Sequence, residues 1–301
     1  MTYKIILLQC LILLITLGTF AEAQSQPIRV FTAEPVLGGA RAAALGDAYV
    51  SDLNDVNSFY WNPATLAFLK NYSVNANSII DWKNLVEKNT AAVPYKIDGS
   101  NSAALGVAVS YLGYFRYYNL NLGYAKILSS NLSTGIFVDL HRGDSRTGGY
   151  WGGSGTFGFL YAPSPGVSYA LVYRGIGRNV RYFFYDAYET LDYVNATRSI
   201  IIGTTFLFPS VNRGPYLCID LAAEKIIGVN KFTSKAGIEF WIVSYVALRC
   251  GIVSGPTLTR GSVATGRGGV GFHIGHIRID YGITPSVAEE QFHQISIAYD
   301  L

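Results

Sequence analysis

The sequence predicts an all-β protein: a transmembrane antiparallel β-barrel of about fourteen strands with a small N-terminal plug. Three observations carry that expectation. Half of the 301 residues are hydrophobic and only 14% are charged, against roughly 25% charged in an ordinary soluble domain. Yet after the first residues no segment offers the roughly 20 unbroken apolar residues that a spanning helix needs. Apolar residues instead alternate with polar ones, and a closed barrel satisfies every backbone group within lipid while confining its apolar surface to alternate positions. The chain also ends on such a strand, with Ile295, Ile297, Tyr299 and Leu301 alternating with Gln294, Ser296, Ala298 and Asp300.

The elements follow in order. Residues 1–23 read as a secretory signal peptide: Lys4 gives the positive n-region, Ile5 to Leu17 are almost all apolar, and Ala21-Glu22-Ala23 is a cleavage site before Gln24. That run is too short and wrongly flanked for a spanning helix, and Cys10 lies inside it, away from a lipoprotein cleavage site. The implied location is integral in a bacterial outer membrane.

Residues 24–70 are expected to form the periplasmic and plug segment. Gly39, Ala42, Ala43, Gly46 and Ala48 are small enough for the close backbone packing of an element threaded into a lumen. Asn62 can cap a short helix and Pro63 suits its first position, where no N–H is needed. The plainer alternative is a helix and turn of a soluble protein.

Residues 71–301 form the barrel, with strands expected near 71–80, 88–96, 102–112, 115–127, 131–141, 149–161, 166–175, 197–208, 215–224, 231–241, 244–254, 263–274, 276–284 and 291–301. An even number returns the C-terminus to the side on which the barrel starts. Short connections such as 128–130, 162–165, 242–243 and Gly275 then fall on the periplasmic side, and longer ones such as 81–87, 142–148, 176–196 and 255–262 outside. The pairs at 97–101 and 113–114 fit this asymmetry less well. No internal repeat or linker divides the chain.

Strand parity sorts the chemistry. Ile238, Phe240, Leu248, Cys250, Ile277, Ile279 and Tyr281 are expected to face lipid, which turns Lys235, Glu239, Arg249, Arg278 and Asp280 into the lumen, joined by Asp220 and Glu224. These charges occupy neighbouring strands and need partners, because desolvated charge is costly otherwise. They form either a structural salt-bridge network or a polar track for a ligand. Cys218 should face the lumen and Cys250 the lipid, so no disulfide is expected.

Other signals are weaker. The segment 176–196 holds Tyr182, Phe183, Phe184, Tyr185, Tyr188 and Tyr193, expected as an external loop whose rings either anchor a partner or fold over the barrel mouth or extend the aromatic girdle. Gly153, Gly155 and Gly158, like Gly266, Gly268 and Gly271, match a dinucleotide fingerprint, but neither set opens a helix; they read as glycines making room inside the barrel. Arg142-Gly143-Asp144 matches an adhesion tripeptide in an expected external loop. Asp52, Asn54, Asp55 and Asn57 lack the Gly and distal Glu of a calcium loop. With no nucleophile elbow and no zinc spacing around His141, His273, His276 or His293, neither catalytic nor metal residues are assigned, no cofactor is expected, and the chain is not expected to be an enzyme. The formal charge of +3 is dispersed, which excludes nucleic acid as a partner.

A family resemblance adds to this reading. Gly39-Ala40-Arg41-Ala42, Leu45-Gly46-Asp47-Ala48-Tyr49 and Phe59-Tyr60-Trp61-Asn62-Pro63-Ala64 near the start match the pattern of the PorV/PorQ group of outer-membrane proteins. So do Lys235 to Trp241, Ala247 to Gly251, Arg278 to Tyr281 and His293 to Ser296 near the end. The chain resembles that group, within the broader long-chain fatty-acid transporter (FadL) superfamily. Arg41, Gly46, Asn62, Pro63 and Ala64 match its plug motif, whereas Thr65 stands where the pattern has Gly, and the chain is short for the secretion shuttle itself. The resemblance implies a role in type IX protein secretion or surface-protein assembly, with secretion machinery or surface proteins as partners beside membrane lipid. The alternative it implies is passive transport of hydrophobic small molecules.

Overall fold

The computed structural model describes residues 38–53, 55–69, 73–81, 86–112, 115–144, 148–184, 190–192, 198–208, 216–227, 231–256, 262–285 and 291–301. The expected signal peptide and residues 24–37 lie outside them. Fifteen strands form one antiparallel sheet: β1 (Ser73–Asp81), β2 (Val86–Lys96), β3 (Asn101–Leu112), β4 (Phe115–Ser129), β5 (Leu132–Asp144), β6 (Gly148–Ser164), β7 (Val167–Phe184), β8 (Thr190–Asp192), β9 (Ser199–Phe208), β10 (Leu217–Ile226), β11 (Lys231–Val243), β12 (Val246–Pro256), β13 (Ser262–Ile274), β14 (Ile277–Pro285) and β15 (Gln291–Asp300). Each barrel strand pairs with its neighbour, β7 pairs with β9, and β15 returns to β1 from Ser73↔Asp300 to Ile80↔His293. Fourteen strands thus close the barrel, and β8 pairs only with β7. No helix among the described residues is long and apolar enough to cross a membrane.

Closure dictates the side-chain pattern. Successive residues of a strand point to opposite faces, and the outward rows are apolar: Leu105 and Val107 on β3, Leu120 and Leu122 on β4, Ile238 and Phe240 on β11, Leu248 and Ile252 on β12 are all exposed. Tyr95, Tyr161, Tyr169, Tyr245 and Tyr299 are exposed at the end of the barrel where β1 begins and β15 ends. Tyr118 and Trp151 are exposed near the far end. Rings with an apolar body and a polar tip belong at such interfaces, so they mark two borders of an apolar band.

The turns keep the expected asymmetry in part. Two-residue connections at 130–131, 165–166, 244–245 and 275–276 sit at the terminal end, with Gly166 (φ 92°) and Gly275 (φ 59°) supplying the left-handed backbone two of them need. The connection after β2 is longer and has its own brace. The Asp98 carboxylate accepts from the backbone N–H of Ser100 (2.7 Å) and Asn101 (2.8 Å), which holds it below the usual carboxylate range.

Three expectations are corrected. The segment 176–196 is not simply a loop: β7 continues through Phe184, paired with β6 from Asn179↔Gly153 to Phe184↔Gly148, and β8 pairs back onto it. Gly175 (φ 87°) and Gly177 (φ 62°) take left-handed backbone within β7 without ending it. The tripeptide Arg142-Gly143-Asp144 ends β5 rather than lying in a loop, because Asp144 still pairs with Arg116 on β4 and Gly149 on β6. Finally, Gly153, Gly155, Gly266 and Gly268 occupy outward positions in their strands; Gly158 and Gly271 face the lumen.

Inside the barrel lies residues 38–69, folded as α1 (Ala40–Ala44) and two 3-10 helices, Val56–Tyr60 and Pro63–Phe68. Nearly all of this inner segment is buried, and with inward residues such as Ala92, Ala125, Phe137, Leu160, Val172 and Ile201 it builds the hydrophobic core.

Candidate functional site: the lumen and its inner segment

The first half of the inner segment docks backbone against backbone. Gly237 and Gly251 pair across β11 and β12, and Gly269 and Gly282 across β13 and β14. A Cβ at Gly237 would stand 2.5 Å from the Leu45 carbonyl oxygen, one at Gly269 2.6 Å from the Ala44 Cβ, and one at Gly282 2.6 Å from the Ala40 carbonyl oxygen. The glycine patch therefore lets α1 lie flat on the wall. Gly46 reciprocates: with φ at 66°, its own Cβ would meet the backbone of Ala236 and Ile252 at 2.9 Å.

That approach carries Arg41 into a buried ion cluster. Its Nε donates to Glu239 (2.7 Å), one Nη reaches Asp52 (2.7 Å), and the other donates to the Tyr49 hydroxyl, over whose ring the guanidinium sits at 5.1 Å. The Tyr49 hydroxyl in turn donates to Asp55 (2.8 Å). From the wall, Arg249 Nε donates to Glu239 (2.5 Å) and its Nη1 to Asp280 (2.7 Å), while the Trp241 indole donates to Glu239 (2.9 Å). Two arginines and an indole satisfy a carboxylate that is fully buried, as desolvated charge requires.

The other charges expected in the lumen form separate pairs around this cluster. Lys235 meets Glu224 (2.8 Å) and stands 5.7 Å from the Trp61 ring centre. Arg278 pairs with Asp300 (2.7 Å) and approaches Asp55 (3.9 Å), and Arg267 pairs with Asp47. Asp220 accepts from Thr205 (2.5 Å) and from the Cys218 thiol (3.6 Å). Cys218 is buried in the lumen, Cys250 is exposed on the outside, and both are free. Sequence reasoning missed Asp47, Asp52, Trp241 and Arg267, and grouped Arg41 with the backbone motif rather than with the charges. Partners as far apart as Arg41 and Glu239 share no local pattern. It also missed that Asp52, Cys218 and Asp220 bring ligand-type atoms within 4.8 Å of one another; their protein contacts with Arg41 and Thr205 account for the carboxylates.

The second half docks by rings and caps. The Asn62 side chain accepts from the Ala64 N–H (3.0 Å) and donates to the carbonyls of Val50 (2.9 Å) and Phe159 (3.1 Å), so one amide caps the last 3-10 helix and ties it to β6. Pro63 lies over Gly135, where a Cβ would stand 2.5 Å from its carbonyl carbon, and Ser133 donates to the Ala64 carbonyl (2.8 Å). Phe59 and Tyr60 pack on Phe137 with ring centres 5.8 and 5.9 Å apart. Thr65 uses the hydroxyl that a glycine would lack, donating to the Asn62 carbonyl (2.8 Å) and meeting Ser58 (2.7 Å).

A neutral strip joins the two. Asn57 accepts from Asn75 (2.8 Å) and Asn77 (3.0 Å) of β1, and Asn77 also donates to Thr90 (2.9 Å) of β2. Further round, Asp139 meets His141 (3.1 Å) and Asn119 (3.3 Å). Of the aromatic candidates, Tyr182, Phe183 and Phe184 belong to β7 in register with Tyr150, Gly149 and Gly148. Tyr185, Tyr188 and Tyr193 lie outside the described residues.

No protein-family model matches the sequence, and no curated protein matches it. Among solved structures the fold is similar to the CymD monoaromatic hydrocarbon channel, with a TM-score of 0.60 and 13% identity over 87% of this chain and 96% of that one. It is similar to the toluene transporter TodX of Pseudomonas putida, with a TM-score of 0.59 and 13% identity over 87% and 97%. A FadL homologue of Pseudomonas aeruginosa gives a TM-score of 0.56 and 13% identity over 93% and 99%. At this identity the likeness concerns the fold, and it agrees with the broader of the two resemblances read from the sequence. The narrower one, to PorV/PorQ, rests on the sequence motifs alone.

Proposed function

We propose that this chain is an integral outer-membrane barrel that passes hydrophobic small molecules, with residues 38–69 as its plug. The observation that carries the reading is the architecture: a closed fourteen-strand barrel with an apolar outer face, similar in fold over most of its length to proteins described as a monoaromatic hydrocarbon channel and a toluene transporter. The order of the two roles implied by the sequence is thereby reversed, and transport comes before secretion. The chemistry of the lumen suggests where the plug gives way. Against β11–β14 it is held by buried ion pairs, whose partners are costly to separate. Against β1 its hydrogen bonds run between neutral amides, each worth roughly 0.5–1.5 kcal/mol. A route along the β1–β2 side therefore opens at the smaller cost.

The test is uptake. Outer-membrane fractionation should recover the chain as a heat-modifiable band, and a deletion strain should take up a hydrophobic probe such as toluene more slowly, with recovery on re-expression. Normal uptake, together with secretion machinery or surface proteins that co-purify and are lost when residues 176–196 are removed, would replace transport by the secretion reading. That second reading keeps two supports, the PorV/PorQ-like motifs at both ends of the chain and the aromatic-rich sequence of the β7–β8 segment.

A further inference from the structure

The outer wall of the barrel is not uniformly convex. Where β4 to β7 approach the far end there is a hollow of about 910 Å³. Its shape follows from register. The outward row Leu120–Leu140 continues across β6 to Gly153, and the next row, Leu122–Val138, continues to Gly155. Two adjacent outward positions thus carry no side chain, in a wall whose other outward residues are mostly large. The pairing of β6 with β7 also shifts at Gly153/Gly155 and again at Gly155/Thr156, and β7 leaves β9 after Arg174↔Ser199. The result is a trough floored by glycine and walled by Leu120, Leu140, Trp151 and Ile176.

The trough changes character along its length. Its lower part presents the outward residues Leu120, Val138, Leu140 and Ile176 around Gly153 and Gly155. Its upper end is a single cross-strand row, Tyr118–Arg142–Trp151, and above that Arg116 pairs in register with Asp144. The Arg142 side chain is 62% exposed and meets Asp144 at 3.1 Å; Arg116 is exposed as well. Arg116 and Arg142 both stand beside a single aspartate, Asp144, which pairs with Arg142, so the cap carries a net positive charge. It sits at the level of the far-end Tyr and Trp, where an aromatic border meets headgroups.

We propose that this trough binds a membrane lipid with an anionic phosphate headgroup, one acyl chain lying over Gly153 and Gly155 and the phosphate against Arg142. An apolar slot as wide as a missing side-chain row suits a chain, and an exposed guanidinium level with an aromatic border suits a phosphate. The inference rests on the outer-membrane reading of the barrel but not on what the lumen transports.

The test uses the full mature chain in phosphatidylcholine vesicles doped with either phosphatidylglycerol or phosphatidylcholine brominated in the acyl chains. Quenching assigned to Trp151, by difference from Trp151→Phe, should reach half its maximum at a severalfold lower fraction of the brominated phosphatidylglycerol. Gly153→Leu fills the slot; its Cβ would lie 3.2 Å from the movable end of Leu140 and 3.3 Å from the Asp139 carbonyl oxygen, so the neighbours must give by a few tenths of an ångström. Arg142→Gln removes the charge. Each should abolish the preference while heat-modifiable migration stays unchanged. If Gly153→Leu fails to insert, Arg142→Gln alone decides. Equal quenching by both lipids in the unmodified protein, or a preference that survives Arg142→Gln, overturns the site. Relief of quenching by toluene alone assigns the trough to neutral hydrocarbon and also overturns it. Quenching by neither lipid means that the barrel is not in the bilayer, a failure of the membrane reading that is distinct from the others.

Discussion

The two halves of the inner segment are held in one lumen by opposite chemistries. Residues 40–47 lie on glycines and are fixed by charge, with Arg41 at the centre of a buried cluster and Asp47 paired to Arg267. Residues 56–68 are fixed by rings and by a capping amide, with Phe59, Tyr60 and Leu66 in the hydrophobic core and Asn62 tied to β6. Buried charge has value only while every partner is present. Packing contributions are spread over many contacts and fail gradually. The first half should therefore be brittle to single changes of charge, and the second tolerant of them but sensitive to lost volume.

The largest effect tests the brittle half. Glu239→Ala leaves Arg41 and Arg249 buried without their shared carboxylate, and removing one partner of a buried pair costs about 3–5 kcal/mol. We expect the barrel to lose thermal stability in heat-modifiability assays, and proteolysis to begin in residues 38–47 before the strands. Adding Arg41→Ala should cost less than the two single changes together, because the pair is coupled. Strict additivity would show that α1 is held by its glycine contacts alone.

The tolerant half is probed by volume. Phe59→Ala should cost about 3 kcal/mol, since Phe59 is fully buried against Tyr60 and Phe137 and the lumen wall cannot collapse into the space. The same position should accept Leu with a much smaller loss. If Phe59→Leu unfolds the segment as Glu239→Ala does, the contrast between the halves fails.

How much of this could be read in advance depended on whether the signal was local. Strand parity was legible, because lipid forces one face of each strand to be apolar and the period of two leaves no freedom; Ile238 with Phe240, and Leu248 with Cys250, fixed the inward set around Glu239 and Arg249. The cap at Asn62-Pro63 was legible for the same reason, since donor and acceptor lie two residues apart. The pairing of Arg41 with Glu239 was not, because 198 residues separate them and only closure of the barrel brings them together. Glycine was the most ambiguous letter. Gly237 and Gly251 make room for α1, Gly153 and Gly155 leave a trough outside, and Gly175 and Gly177 take left-handed backbone within a strand. A residue without a side chain does not announce which of these it does.

A smaller effect separates the cap from the packing within the second half. Asn62→Ala removes one helix cap and two donors to buried carbonyls, and a lost cap typically costs about 1 kcal/mol. Thermal melting should shift modestly, with local proteolysis near residues 62–68 rising before the barrel opens. Asn62→Asp keeps the cap acceptor but turns a buried carboxylate onto the carbonyl oxygens of Val50 and Phe159, so it should melt lower than Asn62→Ala.

The smallest effect lies behind the charged wall, on its other face. Ile279 is exposed and its neighbour Arg278 faces the inner segment, so the two residues test whether the chemistry of the lumen is felt outside. Arginine on a barrel's lipid face costs about 2–4 kcal/mol at the midplane and roughly 0–1 near an interface. Ile279 stands three residues beyond the turn at 275–276, close to the terminal end marked by Tyr245 and Tyr299, so Ile279→Arg belongs to the lower range. Leu122, paired with Leu105 and Val138 in the middle of its strand, belongs to the upper one. Folding equilibria in lipid vesicles should show Leu122→Arg strongly destabilising and Ile279→Arg nearly silent, with proteolysis of the inner segment unchanged in Ile279→Arg. Arg278→Leu should give the reverse: an intact barrel whose inner segment is cut more readily, because Asp55 loses a neighbour at 3.9 Å and Asp300 one at 2.7 Å. If Ile279→Arg loosened the inner segment as Arg278→Leu does, the two faces of the wall would be mechanically one, and the division of the lumen into a brittle and a tolerant half would have to extend through the barrel itself.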